Sequence, residues 1–225
     1  MNKYVAAIRS LDIDAIAEIV RQPKWLTWAE PSGKNALHYL CGLPLDSERA
    51  QRSLEILKLL LKSGMDINSV HRIEEKCGFF PATPLWYAYP RGRNETLYKY
   101  LLKNGADSSN CWWAIAWYDD IPAAKLWLKH SATLGGKSDL NDLFIGSFAW
   151  KKFAFADWLL GMGADVNAGD KDGNTALIVA VKRKDEVNIQ KLVKAGADAD
   201  RKNKKGDSAR SIATVKGPKR LLDLL

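Results

Sequence analysis

Residues 170–203 read DKDGNTALIVAVKRKDEVNIQKLVKAGADADRKN, the one complete copy of a unit that recurs along the chain. The unit opens with Asp172-Gly173-Asn174, a turn in which Gly173 can adopt the positive φ that such a turn requires. Thr175 can cap a first helix because its hydroxyl accepts a hydrogen bond from an otherwise unpaired backbone N–H. A second helix is predicted to end at Lys194-Ala195-Gly196, since a basic last turn and a glycine favour a helix C-terminus. The stretch is therefore a turn followed by two helices.

Degenerate copies of this unit follow one another along the chain. The closing Gly-x-Asp pattern recurs at 64–68, 105–107, 163–167 and 196–198. Gly163 and Gly196 lie 33 residues apart. The opening pattern recurs as Asn35-Ala36-Leu37-His38, Thr83-Pro84-Leu85-Trp86 and Thr175-Ala176-Leu177. Because openings and closings alternate in order, we interpret the chain as a repeat array.

The repeated unit resembles a known family. Gly-x-Thr-Ala-Leu followed by Leu-Val-x-x-Gly-Ala-Asp resembles the ankyrin repeat, whose period is about 33 residues. The resemblance implies an all-α solenoid of stacked helix-turn-helix units with short finger turns, about five repeats and two terminal caps. We expect a single domain over 1–225. Its expected parts are a cap at 1–30, repeats at 31–70, 71–108, 109–136, 137–169 and 170–203, and a cap at 204–225.

Two units depart from the family pattern. The third has a long finger at 69–82, and Phe79 and Phe80 near its tip either pack back or meet a partner. The finger of the fourth shrinks to Ser108-Ser109-Asn110, and its closing motif is replaced by the residues at 131–136. We expect the shortened finger to leave the first helix of the fourth unit uncovered.

Composition favours a soluble cytoplasmic protein. Hydrophobic residues make up 47% and charged residues 27% of the chain, as in ordinary globular proteins. Cys41, Cys77 and Cys111 are scattered and odd in number, which favours a reducing compartment. We expect no secretory signal and no membrane span, because charged residues interrupt every apolar stretch well before the required length.

Catalytic and metal-binding patterns are missing from the sequence. It has no Gly-x-Ser-x-Gly elbow, no phosphate-binding loop and no His-Glu-x-x-His, and its three histidines lack metal-ligand spacing. Asp119 and Asp120 fall in a turn between helices, where we expect them to be solvated. The resemblance implies that His38 is hydrogen-bonded within its repeat. We therefore predict a protein that is not an enzyme and has no cofactor or metal site.

The resemblance also implies a partner surface, because partners of ankyrin-like stacks contact finger tips and the ends of the first helices on the concave face. Carried over to this sequence, the helix ends supply Arg91, Trp117, Tyr118, Trp150, Lys182 and Arg183. The finger tips supply Lys34, Phe79, Phe80, Lys171, Asp172, Asn174, Lys204 and Lys205. Aromatic residues and arginine are enriched at interface hot spots. We expect Trp117, Tyr118 and Trp150 on the surface, and Trp112, Trp127 and Trp158 in the core.

We predict a noncatalytic, monomeric scaffold that binds another protein on its concave groove and finger tips. A partner with an apolar or aromatic segment beside an acidic one would complement this surface, and we do not expect nucleic acid binding. An alternative starts from the net charge of +8, because 170–225 holds 14 Lys and Arg against 8 Asp and Glu. This basic end could bind an acidic partner or nucleic acid. It could equally keep the terminal repeat soluble.

Overall fold

The computed structural model describes residues 2–44, 46–130, 137–216 and 219–225. The expected loss of a closing motif at 131–136 lies outside these residues. The chain forms two compact units. Unit 1 comprises Met1–Trp112 and Leu126–Ala132, and unit 2 comprises Trp113–Lys125 and Thr133–Leu225.

Helices make up most of both units. The helices up to the middle of the chain are α1 (Lys3–Ser10), α2 (Ile13–Val20), α3 (Pro23–Leu26), α4 (Ala36–Cys41), α5 (Ser47–Lys62), α6 (Pro84–Trp86) and α7 (Glu95–Lys103). They are followed by α8 (Trp112–Tyr118), α9 (Ile121–His130), α10 (Lys137–Ala149), α11 (Phe153–Gly161), α12 (Ala176–Arg183), α13 (Glu186–Lys194), α14 (Ala209–Lys216) and α15 (Lys219–Leu222). Among the described residues, none of these helices combines the length and hydropathy that crossing a bilayer requires.

Polar caps set where many of these helices begin. The hydroxyl of Thr175 accepts a hydrogen bond from the Ile178 backbone N–H, as the sequence predicts. Carboxylates serve the same purpose elsewhere: Asp12 caps α2 and Asp185 caps α13. Asp119 and Asp120, which we expected to be solvated, also act as caps. Asp119 Oδ1 accepts from Phe155 N at 2.7 Å and Asp120 Oδ1 accepts from Ala123 N at 3.0 Å. Both residues are half-buried, so each carboxylate is partly exposed to solvent and also holds a helix start.

The long finger of the third repeat is a two-stranded antiparallel hairpin. Strand β1 (His71–Glu75) pairs with strand β2 (Gly78–Ala82), with His71 opposite Ala82. The outer edge of β1 is held by the preceding finger, because Arg72 N donates to Ser32 O at 2.7 Å. The sequence predicts the extra length of this finger, but it does not predict the strand pairing.

His38 holds the base of this hairpin. The ring is fully buried, and its Nε2 lies 3.1 Å from Ser69 O and 3.2 Å from Ala82 O. Asn35 N donates to His38 Nδ1 at 3.2 Å, and Asn35 Oδ1 lies 2.8 Å from the same nitrogen. We assign the ring proton to Nε2, because that nitrogen faces two carbonyl acceptors. Burial lowers the pKa of His38 to about 4 and keeps the ring neutral. The expected hydrogen-bonding role of His38 is confirmed.

Asparagine side chains connect successive closing turns. Asp107 N donates to Asn68 Oδ1 at 2.8 Å, and Asp198 N donates to Asn167 Oδ1 at 2.7 Å. The turn at Asp165 uses a different source, because its N–H donates to Asn141 Oδ1 at 2.8 Å and Asn141 belongs to α10. A helix residue thus supplies the contact that a closing motif supplies elsewhere.

The helix after Trp86 widens into a π-helix at Tyr87–Arg91. Pro90 lies inside it and has no N–H to donate, while Gly92 N closes the wide turn by donating to Tyr87 O at 2.8 Å. Gly92 is also required sterically, because a Cβ atom at this position would lie 2.1 Å from Cys41 O. This close approach fixes the end of the π-helix, and with it Arg91, against the end of α4.

We predict that Gly92→Ala lowers the free energy of unfolding by about 2 kcal/mol or more, because the backbone at Cys41 or Gly92 must move. Gly161→Ala is the control: no atom approaches the position within 4 Å, and its φ is not positive. We expect this control to leave stability unchanged or to raise it by up to about 1 kcal/mol. Urea unfolding followed by circular dichroism measures both variants. A Gly92→Ala midpoint equal to that of the wild type would contradict the packing described here.

Candidate functional site

Three tryptophans form an exposed cluster in unit 2, which we call the tryptophan patch: Trp113, Trp117 and Trp150. Their side chains are 44%, 51% and 38% exposed, respectively. The ring of Trp150 lies 5.2 Å from that of Trp117 and 5.5 Å from that of Trp113, in edge-to-face geometry. Such contacts favour a defined arrangement of the rings. An exposed cluster of three indoles is a typical feature of an interaction site.

Local sequence explains how the patch forms. Trp113 and Trp117 are four residues apart in α8, so they share one helix face. Trp150 directly follows the last residue of α10. Gly146 lies one turn earlier in α10 and makes room for Trp113, because a Cβ atom at this position would lie 2.6 Å from Trp113 Cζ3. The patch therefore depends on a glycine as well as on its aromatic residues.

Basic side chains border the patch. Lys152 Nζ lies 5.5 Å from the centre of the Trp117 ring. Arg183 donates from its guanidinium to Phe148 O at 3.2 Å and to Ala149 O at 2.6 Å, at the C-terminal end of α10. Cations at this end of a helix are favoured by the helix dipole. The surface next to Trp150 thus combines apolar area with positive charge.

The sequence-predicted residues of the last repeat have mixed roles. Asn174 Oδ1 accepts from Lys182 Nζ at 3.0 Å and from Asn203 Nδ2 at 2.8 Å. Lys204 N donates to Asp172 O at 2.9 Å, so neighbouring fingers are joined through the backbone. The side chains of Lys171, Asp172, Lys204 and Lys205 are exposed. Asn174 is half-buried and engaged within the protein, which leaves it the least suited of this group to bind a partner.

Of the four predicted site residues of unit 1, the structure brings Phe80 and Arg91 together at Trp86. Phe80 packs against Trp86 with ring centres 5.1 Å apart, and the Arg91 guanidinium lies 5.3 Å from the centre of the same Trp86 ring. Phe79 points elsewhere, being 49% exposed with the Arg72 guanidinium 4.9 Å from its ring centre. One finger phenylalanine therefore packs back and the other stays at the surface.

Of the three tryptophans predicted to lie in the core, two are buried. Trp112 and Trp127 are buried, whereas Trp158 is only half-buried. Tyr118 is 42% exposed, as the sequence predicts for a surface residue.

Trp113 was not among the predicted site residues, although its spacing of four residues from Trp117 could have identified it. In the part of the chain that the structure describes, no three His, Cys, Asp or Glu side chains are grouped so that they could hold a metal ion.

Comparisons with known proteins agree with this architecture. The family model of the ankyrin repeat matches residues 172–204. The solved ankyrin repeat domain of Bcl-3, described as a unique member of the IkappaB protein family, matches with a TM-score of 0.71 and 18% identity, covering 100% of this chain and 97% of that chain. The fold is that of an ankyrin-repeat domain. The human ASB11 ankyrin repeat domain matches with a TM-score of 0.68 and 19% identity, covering 100% of this chain and 98% of that chain. A comparison with curated protein sequences finds no match.

The predicted fold class, an all-α ankyrin-repeat solenoid of helix-turn-helix units, is therefore confirmed. Ankyrin repeats are a general protein–protein interaction module, and proteins built from them are typically noncatalytic. The long third finger, a β-hairpin, is the local exception to the short finger turns of the prediction.

We predict that Gly146→Ala displaces Trp113 and disturbs the tryptophan patch while leaving the fold intact. Because Trp113 is partly exposed and can rotate, the stability cost should be below about 1 kcal/mol. The indole N–H resonances of Trp113 and Trp150 should shift in NMR spectra, and those of the buried Trp112 and Trp127 should not. Gly161→Ala serves as the control. Unchanged Trp113 and Trp150 resonances in Gly146→Ala would show that the indole does not lie against α10.

Proposed function

We propose that this protein is a noncatalytic scaffold that binds a partner protein through the tryptophan patch of unit 2, together with Tyr118. The observation that carries the proposal is the set of three neighbouring indoles, each more than a third exposed. Indole rings supply contact area and stacking surfaces rather than acids, bases or nucleophiles. Tryptophan is also among the residues that most often dominate the binding energy of an interface.

The patch is suited to binding because little order has to be gained when a partner arrives. Trp117 and Trp150 already contact each other edge to face, and Gly146 lets Trp113 lie against α10. Side chains that are held before binding lose less conformational entropy on binding. We therefore propose that the patch acts as a preformed anchor site.

The charges around the patch indicate the chemistry of its partner. Lys152 lies at the Trp117 ring and Arg183 at the end of α10, so an apolar or aromatic segment flanked by acidic residues would match both features. We propose that the protein works as a monomer in the cytoplasm, where its free cysteines Cys41, Cys77 and Cys111 would stay reduced.

The basic end supports the alternative function less well. Two of its cations already have acidic neighbours, because Arg210 pairs with Asp200 at 3.0 Å and Arg220 pairs with Glu186 at 2.5 Å. Lys171, Lys204 and Lys205 remain exposed. They fit the role of a solvated terminal repeat as well as they fit a binding site.

The test compares Trp117→Ala/Trp150→Ala with Val187→Ala/Val215→Ala, which removes exposed apolar side chains elsewhere in unit 2. Proteins captured from native cell extract are identified and purified, and each is then titrated against the wild type and both variants. We expect at least one purified partner whose affinity falls about tenfold or more with the tryptophan variant, since each hot spot contributes about 2 kcal/mol. The valine variant should bind that partner as the wild type does.

Both variants must keep the melting temperature of the wild type within a few degrees, which the exposure of the replaced side chains favours. Equal affinity of every purified partner for the two variants would overturn the proposal. So would a finding that every purified partner keeps its affinity for the tryptophan variant and loses it steeply between about 50 and 200 mM salt, because such partners are held by charge and not by the indoles.

A further inference from the structure

We propose that unit 1 carries a carboxylate-binding cluster, formed by Lys34, His71 and Arg91 around the Tyr87 ring, that recognises an acidic segment of a partner protein. We call it the Tyr87 cluster. It rests on the proposed function only in that its ligand belongs to a protein. Its residues all lie in unit 1, so a failure of the tryptophan patch would leave it standing.

Tyr87 is the common neighbour of the three side chains. The Tyr87 hydroxyl lies 2.7 Å from His71 Nδ1. Arg91 Cζ lies 5.6 Å and Lys34 Nζ 5.7 Å from the centre of the Tyr87 ring. Lys34 lies in the finger turn before α4, His71 begins strand β1, and Arg91 is the last residue of the π-helix. Their side chains converge on Tyr87, which is buried.

In the described ranges, neither Lys34 nor Arg91 lies within ion-pair distance of a carboxylate. Both cations lie over aromatic rings instead. Lys34 Nζ is 4.3 Å from the centre of the Tyr39 ring. The nearby carboxylate of Glu30 accepts a hydrogen bond from the Tyr39 hydroxyl. Positive charge at this surface is therefore only partly compensated.

The titration behaviour of the cluster is consistent with this positive potential. Burial lowers the pKa of Lys34, and the charges of Arg91 and Arg9 add to this effect while Glu30 opposes it. Burial also lowers the pKa of His71, and here Lys34 and Arg91 contribute in the same direction. A carboxylate placed beside these groups would gain from the potential that they create.

Arg91 is held in a suitable position to bind a carboxylate. Its guanidinium lies over Trp86, which is itself packed against Phe80 of the hairpin. A guanidinium held at an aromatic ring by cation–π attraction can still bind a carboxylate with two parallel hydrogen bonds. The π-helix and the close contact of Gly92 with Cys41 O fix the backbone at Arg91. Binding would therefore cost little ordering of this side chain.

Neighbouring acidic residues favour a short acidic peptide over a nucleic acid. Glu74 and Glu75 are exposed on β1, beyond Arg72, and Glu30 lies beside Lys34. A nucleic acid carries a negative charge at every nucleotide, so its backbone would meet these carboxylates wherever it left the cluster. A protein segment can place one or two carboxylates at Lys34 and Arg91 and continue with uncharged residues.

The probe is the fluorescein-labelled peptide Gly-Ser-Gly-Glu-Glu-Gly-Ser-Gly, with Gly-Ser-Gly-Gln-Gln-Gly-Ser-Gly as its counterpart without carboxylate side chains. Fluorescence anisotropy measures binding to the wild type and to Lys34→Met/Arg91→Gln. We expect the variant to bind the acidic peptide roughly tenfold more weakly, because two charge-assisted contacts are lost. The glutamine peptide should bind the wild type at least as weakly.

The charge-matched control is Lys204→Gln/Lys205→Gln, which removes two exposed cations from the basic end. This variant should change the affinity less than about twofold, as general charge steering predicts. Trp117→Ala/Trp150→Ala should bind the acidic peptide like the wild type, which separates this inference from the proposed function. An equal or larger loss in the Lys204/Lys205 variant would overturn the inference, as would equal binding of the two peptides.

Two further measurements keep the test decisive. If Lys34→Met/Arg91→Gln does not fold, NMR titration of the wild type replaces it, and the peptide should shift resonances at Lys34, His71, Trp86 and Arg91. Shifts confined to other residues would refute the cluster. An oligothymidylate of about ten nucleotides is titrated in parallel. Tighter binding of this strand than of the peptide, lost in Lys34→Met/Arg91→Gln, would identify a nucleic acid site instead.

Discussion

The hydrogen bonds of His38 are the interaction on which the rest of unit 1 depends. One buried ring nitrogen contacts both Ser69 O and Ala82 O, the residues at the two ends of the hairpin segment, while the other nitrogen accepts from Asn35 N. The hairpin is therefore held to α4 at both of its ends, although it is a short two-stranded element with little core of its own. Phe80 of this hairpin packs on Trp86, and Arg91 lies over the same Trp86 ring.

The exposed aromatic surfaces occur where the repeats depart from their pattern. The complete unit at 170–203 uses its polar side chains internally: Asn174 joins Lys182 to Asn203, and Arg183 binds the carbonyls of α10. The degenerate fourth repeat instead exposes Trp113 and Trp117, and the elongated third finger exposes Phe79. Regular repeats thus supply stability through shared contacts, whereas irregular ones supply the residues that we propose for binding.

Features that arise from local chemistry could be predicted from the sequence. The cap at Thr175 and the end of α13 at Lys194 follow from short-range patterns, and repeat spacing was enough to assign the fold. Features that depend on contacts between residues far apart in the chain could not be predicted from the sequence. Asn141 replaces a closing-motif residue because it lies near Asp165 in space, and Gly146 is needed because Trp113 packs on it. The π-helix and the meeting of Lys34 with Arg91 at Tyr87 are of the same kind.

The measurement that tests this account most directly is the pH dependence of unfolding in the wild type and in His38→Gln, whose amide can still donate to the finger carbonyls without titrating. Burial lowers the pKa of His38 from 6.5 to about 4, so the unfolded chain binds a proton that the folded protein excludes between these values. The stability contributed by neutral His38 is complete above pH 6.5 and is lost as the pH falls toward about 4. We predict that the wild type loses up to about 3 kcal/mol more than His38→Gln over this interval. Parallel curves for the two proteins would contradict the role assigned to His38.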